Sequence, residues 1–198
     1  MAIFNSEFRD KLKGKRIAIL ATEGFEEVEL VKPQKALEDA GATVDVIAPK
    51  SGIKSNQIKA WDMTDWGGKV KADVELSTAN SSQYDALHLP GGVMNPDHLR
   101  MDPQAVAFVK SFFSEGKPVS AICHAPWTLI EADVVRGKTL TSWPSLQTDL
   151  RNAGAQWVDK EVVTDKNLVT SRKPDDIPAF NKAMIELFSR TTAHPVAA

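Results

Sequence analysis

The chain has 198 residues, 42% of them hydrophobic, and its 24 basic residues nearly balance 26 acidic ones for a formal charge of −2. That length and apolar content fit one domain with a full core and require no second, while the absence of a basic stripe or a run of like charges argues against a nucleic-acid partner. No stretch is apolar enough to span a membrane, nothing at the N-terminus reads as a secretory signal, and a lone cysteine forms no internal disulfide, so a cytoplasmic protein is expected.

In chain order, Arg16 to Thr22 reads as a short apolar strand, followed by a helix from about Val28 to Ala40 that ends at Gly41. Thr43 to Ala48 is the next strand. Between Ile58 and Leu76, Trp61, Trp66, Gly67 and Gly68 sit among short alternating runs, which predicts an antiparallel hairpin. Asp85 to Leu89 is a strand leading into Pro90-Gly91-Gly92. Asp102-Pro103 then reads as an N-cap with proline at N1, opening a helix whose apolar face carries Ala105, Val109, Phe112 and Phe113 and which stops at Gly116. Pro118 to Ile122 is a strand that runs into a helix at His124 to Pro126. Thr139 to Ser142 is a strand and Leu146 to Ala153 a helix. Glu161 to Thr164 and Leu168 to Ser171 pair through the turn residues Asp165, Lys166 and Asn167, and Ile177 to Phe188 closes the fold as an amphipathic helix. The domain is expected over residues 12–190, with an extension at 1–11 and a frayed tail at 191–198. Strands alternating with helices predict a mostly parallel sheet with helices on both faces.

In such sheets ligands bind beyond the carboxyl ends of the strands. That edge gathers Glu23, Glu26 and Glu27 after the first strand, Gly91, Gly92 and Asp97 after Leu89, Cys123 and His124 after Ile122, and Trp143 after Ser142. Cys123, the only cysteine, stands on a strand-to-helix turn beside a histidine, the arrangement of a thiol nucleophile next to a base. Backbone N–H groups at a helix start stabilise a thiolate, so an acidic thiol is expected. Gly91 and Gly92, with the N–H of His124, are candidates for an oxyanion hole, and Trp143 for a pocket wall. Glu23 and Glu27 read as a solvated helix start; spacing leaves Glu26 and Glu29 open. His88, inside a strand, reads as structural, and His98 and His194 have no partner at metal-ligand spacing. No zinc motif, P-loop or dinucleotide fingerprint occurs, so no metal and no cofactor are expected.

Six segments (residues 25–30, 87–92, 114–126, 140–145, 152–163 and 168–180), in order within Lys15 to Phe188, resemble the PfpI family of cysteine proteases and stress proteins. That family belongs to the glutamine-amidotransferase-like superfamily. The resemblance implies a flavodoxin-like three-layer α/β/α sandwich with Cys123 on a nucleophile elbow and His124 beside it. It also implies Glu26 as the acid bonded to the sulfur, Asp97 in place of a glutamate that completes a triad across a subunit boundary, and a homodimer or ring of dimers. Asp97 is one methylene shorter than that glutamate. The functional expectation is a stress-protective cysteine hydrolase acting on peptides or on aldehyde-glycated proteins. The alternative is a redox sensor in which Cys123 is oxidised to the sulfinic acid. A glutaminase is rejected, because the only histidine downstream of His124 is His194 in the tail, and it lacks the required His-x-Glu pairing.

Overall fold

The computed structural model describes residues 8–50 and 56–190; the expected tail at 191–198, with His194, and the first seven residues of the expected extension lie outside them. The elements run β1 (Arg16–Leu20), β2 (Phe25–Glu26), α1 (Glu27–Asp39), β3 (Thr43–Ala48), β4 (Gln57–Asp62), β5 (Asp65–Lys71) and β6 (Val74–Glu75). Then come β7 (Ala86–Leu89), α2 (Met94–Leu99), α3 (Pro103–Ser114), β8 (Val119–Ile122), α4 (Pro126–Glu131), β9 (Thr139–Leu140) and α5 (Gln147–Asn152). The chain continues through β10 (Gln156–Trp157), β11 (Val162–Asp165), β12 (Leu168–Ser171) and α6 (Ile177–Ser189).

The main sheet has seven strands in the order β11-β12-β8-β7-β1-β3-β6, all neighbours parallel except the edge pair β11-β12. Strands β7, β8 and β12 are buried at every residue, as a sheet covered on both faces requires. Strand β1 shows the two faces directly. Ala18 and Leu20 pack with Phe108 and Phe112 of α3 and Leu129 of α4, whereas Ile17 packs with Phe180 and Met184 of α6, and Ile19 with Phe25 of β2 and Leu30 of α1. These are the three layers of the flavodoxin-like sandwich expected from the sequence.

Asp102 caps α3 by accepting from the N–H groups of Gln104 and Ala105, with Pro103 at N1. The core face of α3 uses Phe108; Phe113 is only half-buried. Strand β9 ends at Leu140, two residues earlier than expected, because the N–H of Thr141 leaves the β9-β10 ladder to bond the Thr170 hydroxyl. The predicted hairpin is β4-β5, which β2 extends into a three-stranded sheet by pairing Glu26 with Trp61. Its turn at Met63 thereby stands over the carboxyl edge of β1.

Chain direction does the rest. Because β1, β7, β8 and β12 are parallel, the segments that leave their carboxyl ends converge at one edge, beside the point where the chain switches from β3 on one side of β1 to β7 on the other.

Candidate active site

Cys123 directly follows β8 with φ +63°, a left-handed conformation that a residue with a side chain rarely adopts. Both of its backbone groups are held. Its N–H donates to the Ser171 carbonyl at 3.0 Å, and its carbonyl accepts from the Trp143 N–H at 2.9 Å. The turn therefore lifts the side chain out of the sheet over a pocket of about 380 Å³ that Cys123 shares with Glu26, Glu29, His124, Trp61, Met63 and Trp143 among others.

His124 Nδ1 lies 3.1 Å from the sulfur. Its ring stacks on Trp143 at a centroid distance of 5.7 Å and packs against Trp127 at 5.2 Å. Burial pulls its pKa down to about 4, so the imidazole is neutral across the neutral range and keeps a ring-nitrogen lone pair to accept a hydrogen bond from the thiol.

The acid bonded to the sulfur is Glu29, not Glu26. The two carboxyls stand on different elements: Glu26 ends β2 with extended backbone, paired with Trp61, whereas Glu29 lies in the first turn of α1 and is fully buried. Its Oε2 accepts from the Gly91 N–H at 2.9 Å, and its Oε1 has no nitrogen or oxygen donor. Burial pushes this carboxyl up to about 8, so at neutral pH it carries a proton that it can share with the sulfur. Glu26 instead accepts from the Met63 N–H at 3.3 Å through Oε1, lining the pocket beneath the hairpin turn. Burial raises its pKa too, as do neighbouring Asp62 and Glu27.

Burial, followed by the charge and hydrogen bond of Glu29, pushes the Cys123 thiol well up, opposite to the acidic thiol expected from its place before a helix. The N–H groups of Gly92 and His124 act against this shift and are outweighed. Those two N–H groups face the sulfur, with that of Gly92 shared with Glu29, whereas that of Gly91 is given to Glu29 alone, so Gly91 is removed from the expected oxyanion hole. Gly91 is required for another reason: a Cβ there would sit 2.5 Å from Glu29 Oε2 and 2.7 Å from Cys123 Cβ.

Asp97 does not join this group within the chain. It is exposed on α2, outside the pocket lining, and among the described residues it makes no side-chain bond to His124. The same helix supplies an unforeseen clamp. Buried Asn95 accepts from the Thr22 N–H at 2.8 Å and donates to the Pro90 and Gly91 carbonyls at 2.8 and 3.2 Å, tying the Pro-Gly-Gly turn to the end of β1.

Among the described residues no group of three or more His, Cys, Asp or Glu is placed to hold a metal ion, and no helix is long and apolar enough to cross a membrane.

Residues 15–187 match the DJ-1/PfpI family model. The chain belongs to the DJ-1/PfpI family. General stress protein 18 of Bacillus subtilis (strain 168) is 43% identical over 180 residues, covering 89% of this chain and 99% of its own. Protein/nucleic acid deglycase 2 of Escherichia coli (strain K12) is 43% identical over 176 residues, covering 87% and 97%. Of the solved structures, Drosophila melanogaster DJ-1beta superposes with a TM-score of 0.79 at 31% identity, covering 89% of this chain and 92% of its own.

Within this DJ-1/PfpI chain, one sequence signal locates Glu29. Pro33 sits inside α1, so the Glu29 carbonyl four residues earlier loses its helical N–H partner. His88 of β7 supplies the replacement, its Nε2 donating to that carbonyl at 2.9 Å while Nδ1 takes the Ser120 hydroxyl at 3.0 Å. Burial drops the His88 pKa to about 4, which keeps the ring neutral in this role.

Proposed function

We propose that the chain is a cysteine-dependent hydrolase of small carbonyl groups carried on protein amines, with aldehyde-glycated proteins as its substrates. The observation that carries this reading is Cys123 at φ +63° with neutral His124 at 3.1 Å and the protonated Glu29 carboxyl against its sulfur. In such an adduct the amine nitrogen is carried on a carbinol carbon. Sγ bonds to that carbon as the carbon–nitrogen bond breaks, and the thiol proton passes by way of His124 Nδ1 to the leaving amine, while the N–H groups of Gly92 and His124 bond the carbinol oxygen. Water then displaces Sγ from the resulting hemithioacetal, so that the carbonyl compound leaves as its hydrate and a proton from water returns to the thiol.

A pocket of about 380 Å³ is near the small end of ligand sites and suits one modified side chain better than an extended peptide. The Escherichia coli relative named as a deglycase supports the choice.

The test is turnover by purified protein on methylglyoxal-modified protein, denatured casein and fluorogenic peptides in parallel, with Cys123→Ser as control. Amine release from the modified protein alone, lost in the variant, is the expected result. Casein cleavage would move the reading to a peptidase. No turnover on any of them, with peroxide adding two oxygens at Cys123, would leave the redox sensor.

A further inference from the structure

The pocket over Cys123 has an uneven charge. Among the described residues no lysine or arginine lines it. The two cations next to its Pro174 wall are both engaged elsewhere, Arg172 with Asp159 and Asp176 at 2.7 and 2.8 Å and Lys173 with Asp175 at 3.3 Å. Its ionisable lining consists of Glu26, Glu29, Cys123 and a His124 that stays neutral. Glu29 is fully buried and bonded to the sulfur and to Gly91, so it serves the nucleophile. Glu26 has no such partner. Among the described residues its carboxylate accepts from the Met63 N–H and pairs with no cation, while Asp62 and Glu27 add negative potential beside it. Two indoles, Trp61 and Trp143, also line the pocket, and indole rings attract planar cations.

We propose that Glu26 is a specificity-determining residue, selecting substrates that carry an ammonium or guanidinium group beside the carbon attacked by Cys123 and rejecting anionic ones. This rests on Cys123 being the reactive thiol of the proposed hydrolase, and it narrows the substrates to groups borne on lysine or arginine side chains.

Because Cys123 is the only cysteine, thiol-specific reagents of different charge read the pocket without reference to turnover. Methanethiosulfonates bearing a trimethylammonium, a methyl or a sulfonate group each transfer their thioalkyl group to Sγ, forming a mixed disulfide and expelling methanesulfinate. Rates on the intact protein are divided by those on glutathione to remove intrinsic reactivity. The neutral reagent reports any general change in the thiol, which matters because Glu26 also acts on Glu29.

In wild type at low ionic strength the cationic reagent should react at least about tenfold faster than the anionic one, a preference that shrinks at high salt. In Glu26→Gln, which keeps an acceptor for Met63, the ratio should fall to within about twofold of one. Glu27→Gln removes the same charge outside the pocket, where Glu27 bonds the Gly68 N–H, and should keep the preference. A wild-type ratio near one, an unchanged ratio in Glu26→Gln, or an equal loss in Glu27→Gln would each overturn the proposal while Cys123 still reacts with the neutral reagent. A Cys123 inert to all three reagents would remove the hydrolase reading and this proposal together.

Discussion

At the scale of single residues the site is a set of proton holders whose environments push them in opposite directions, and this has a measurable cost in stability. His88 and His124 refuse a proton until about pH 4 in the fold, whereas an unfolded histidine takes one near 6.5. Their contribution is therefore present above 6.5 and is lost as the pH falls toward 4. Glu29 works the other way: folded, it keeps its proton up to about pH 8, and unfolded it releases it near 4.5, so its contribution is present below 4.5 and is lost as the pH rises through 8. The fully buried His88 gives the cleanest test. Between pH 7 and pH 4, urea unfolding should show wild type losing about 3 kcal/mol more than His88→Gln. In Glu29→Gln the loss between pH 4.5 and 8 should flatten. Parallel curves for wild type and His88→Gln would mean that His88 takes its proton as readily in the fold as in the unfolded chain.

At the scale of elements, the strand ends and glycine turns hold these residues in place. Gly92 has φ +78°, and a Cβ there would lie 2.5 Å from the Gly24 carbonyl and 2.7 Å from the Glu26 nitrogen. Gly116 has a similar φ of +67° with nothing within 4 Å of its position. Gly116→Ala should cost about 1 kcal/mol from backbone strain alone, and Gly92→Ala about 3 kcal/mol because the clash adds to it. Equal urea midpoints for the two variants would show that the turn after β7 gives way freely. Elements of this kind were largely readable in advance. The β11-β12 turn, the Asp102 cap and the buried runs of β7 and β8 each announce themselves through local chemistry. The strand-to-helix turn at Cys123 was readable as well, from a cysteine between an apolar strand and a proline-led helix. What spacing left open was which glutamate faces the sulfur, since Glu26 and Glu29 both stand near the start of α1. The answer depends on Pro33 freeing a carbonyl and His88 reaching it across 59 residues of sequence. Asn95 escaped for the same reason: its three bonds join segments that only the folded sheet brings together.

At the scale of the whole molecule, His124 finds among the described residues no third group of the kind that usually orients a catalytic base, and the surface indicates where one comes from. Asp97 is exposed on α2, with Val93 four residues before it and Met101 four after, so the three fall along one face of the helix and its following turn. Val93 and Met101 are apolar yet 55% and 78% exposed, and Val93 also lines the pocket. An exposed apolar pair flanking a carboxylate beside an active site fits a surface that a second copy covers. We propose a homodimer in which Asp97 of each protomer orients His124 of the other. Sedimentation at micromolar protein should then show no monomer, and Cys123→Ser and Asp97→Ala homodimers should both lack turnover. Mixing the two after dissociation tests the crossing. Half of the randomly reassembled dimers carry one of each chain, and each of these holds one complete site, so about a quarter of wild-type activity should return. An Asp97 acting within its own chain would return none, because neither site of the mixed dimer would then be whole. Full activity in Asp97→Ala alone would remove Asp97 from the site and leave His124 oriented by its stacking between Trp127 and Trp143.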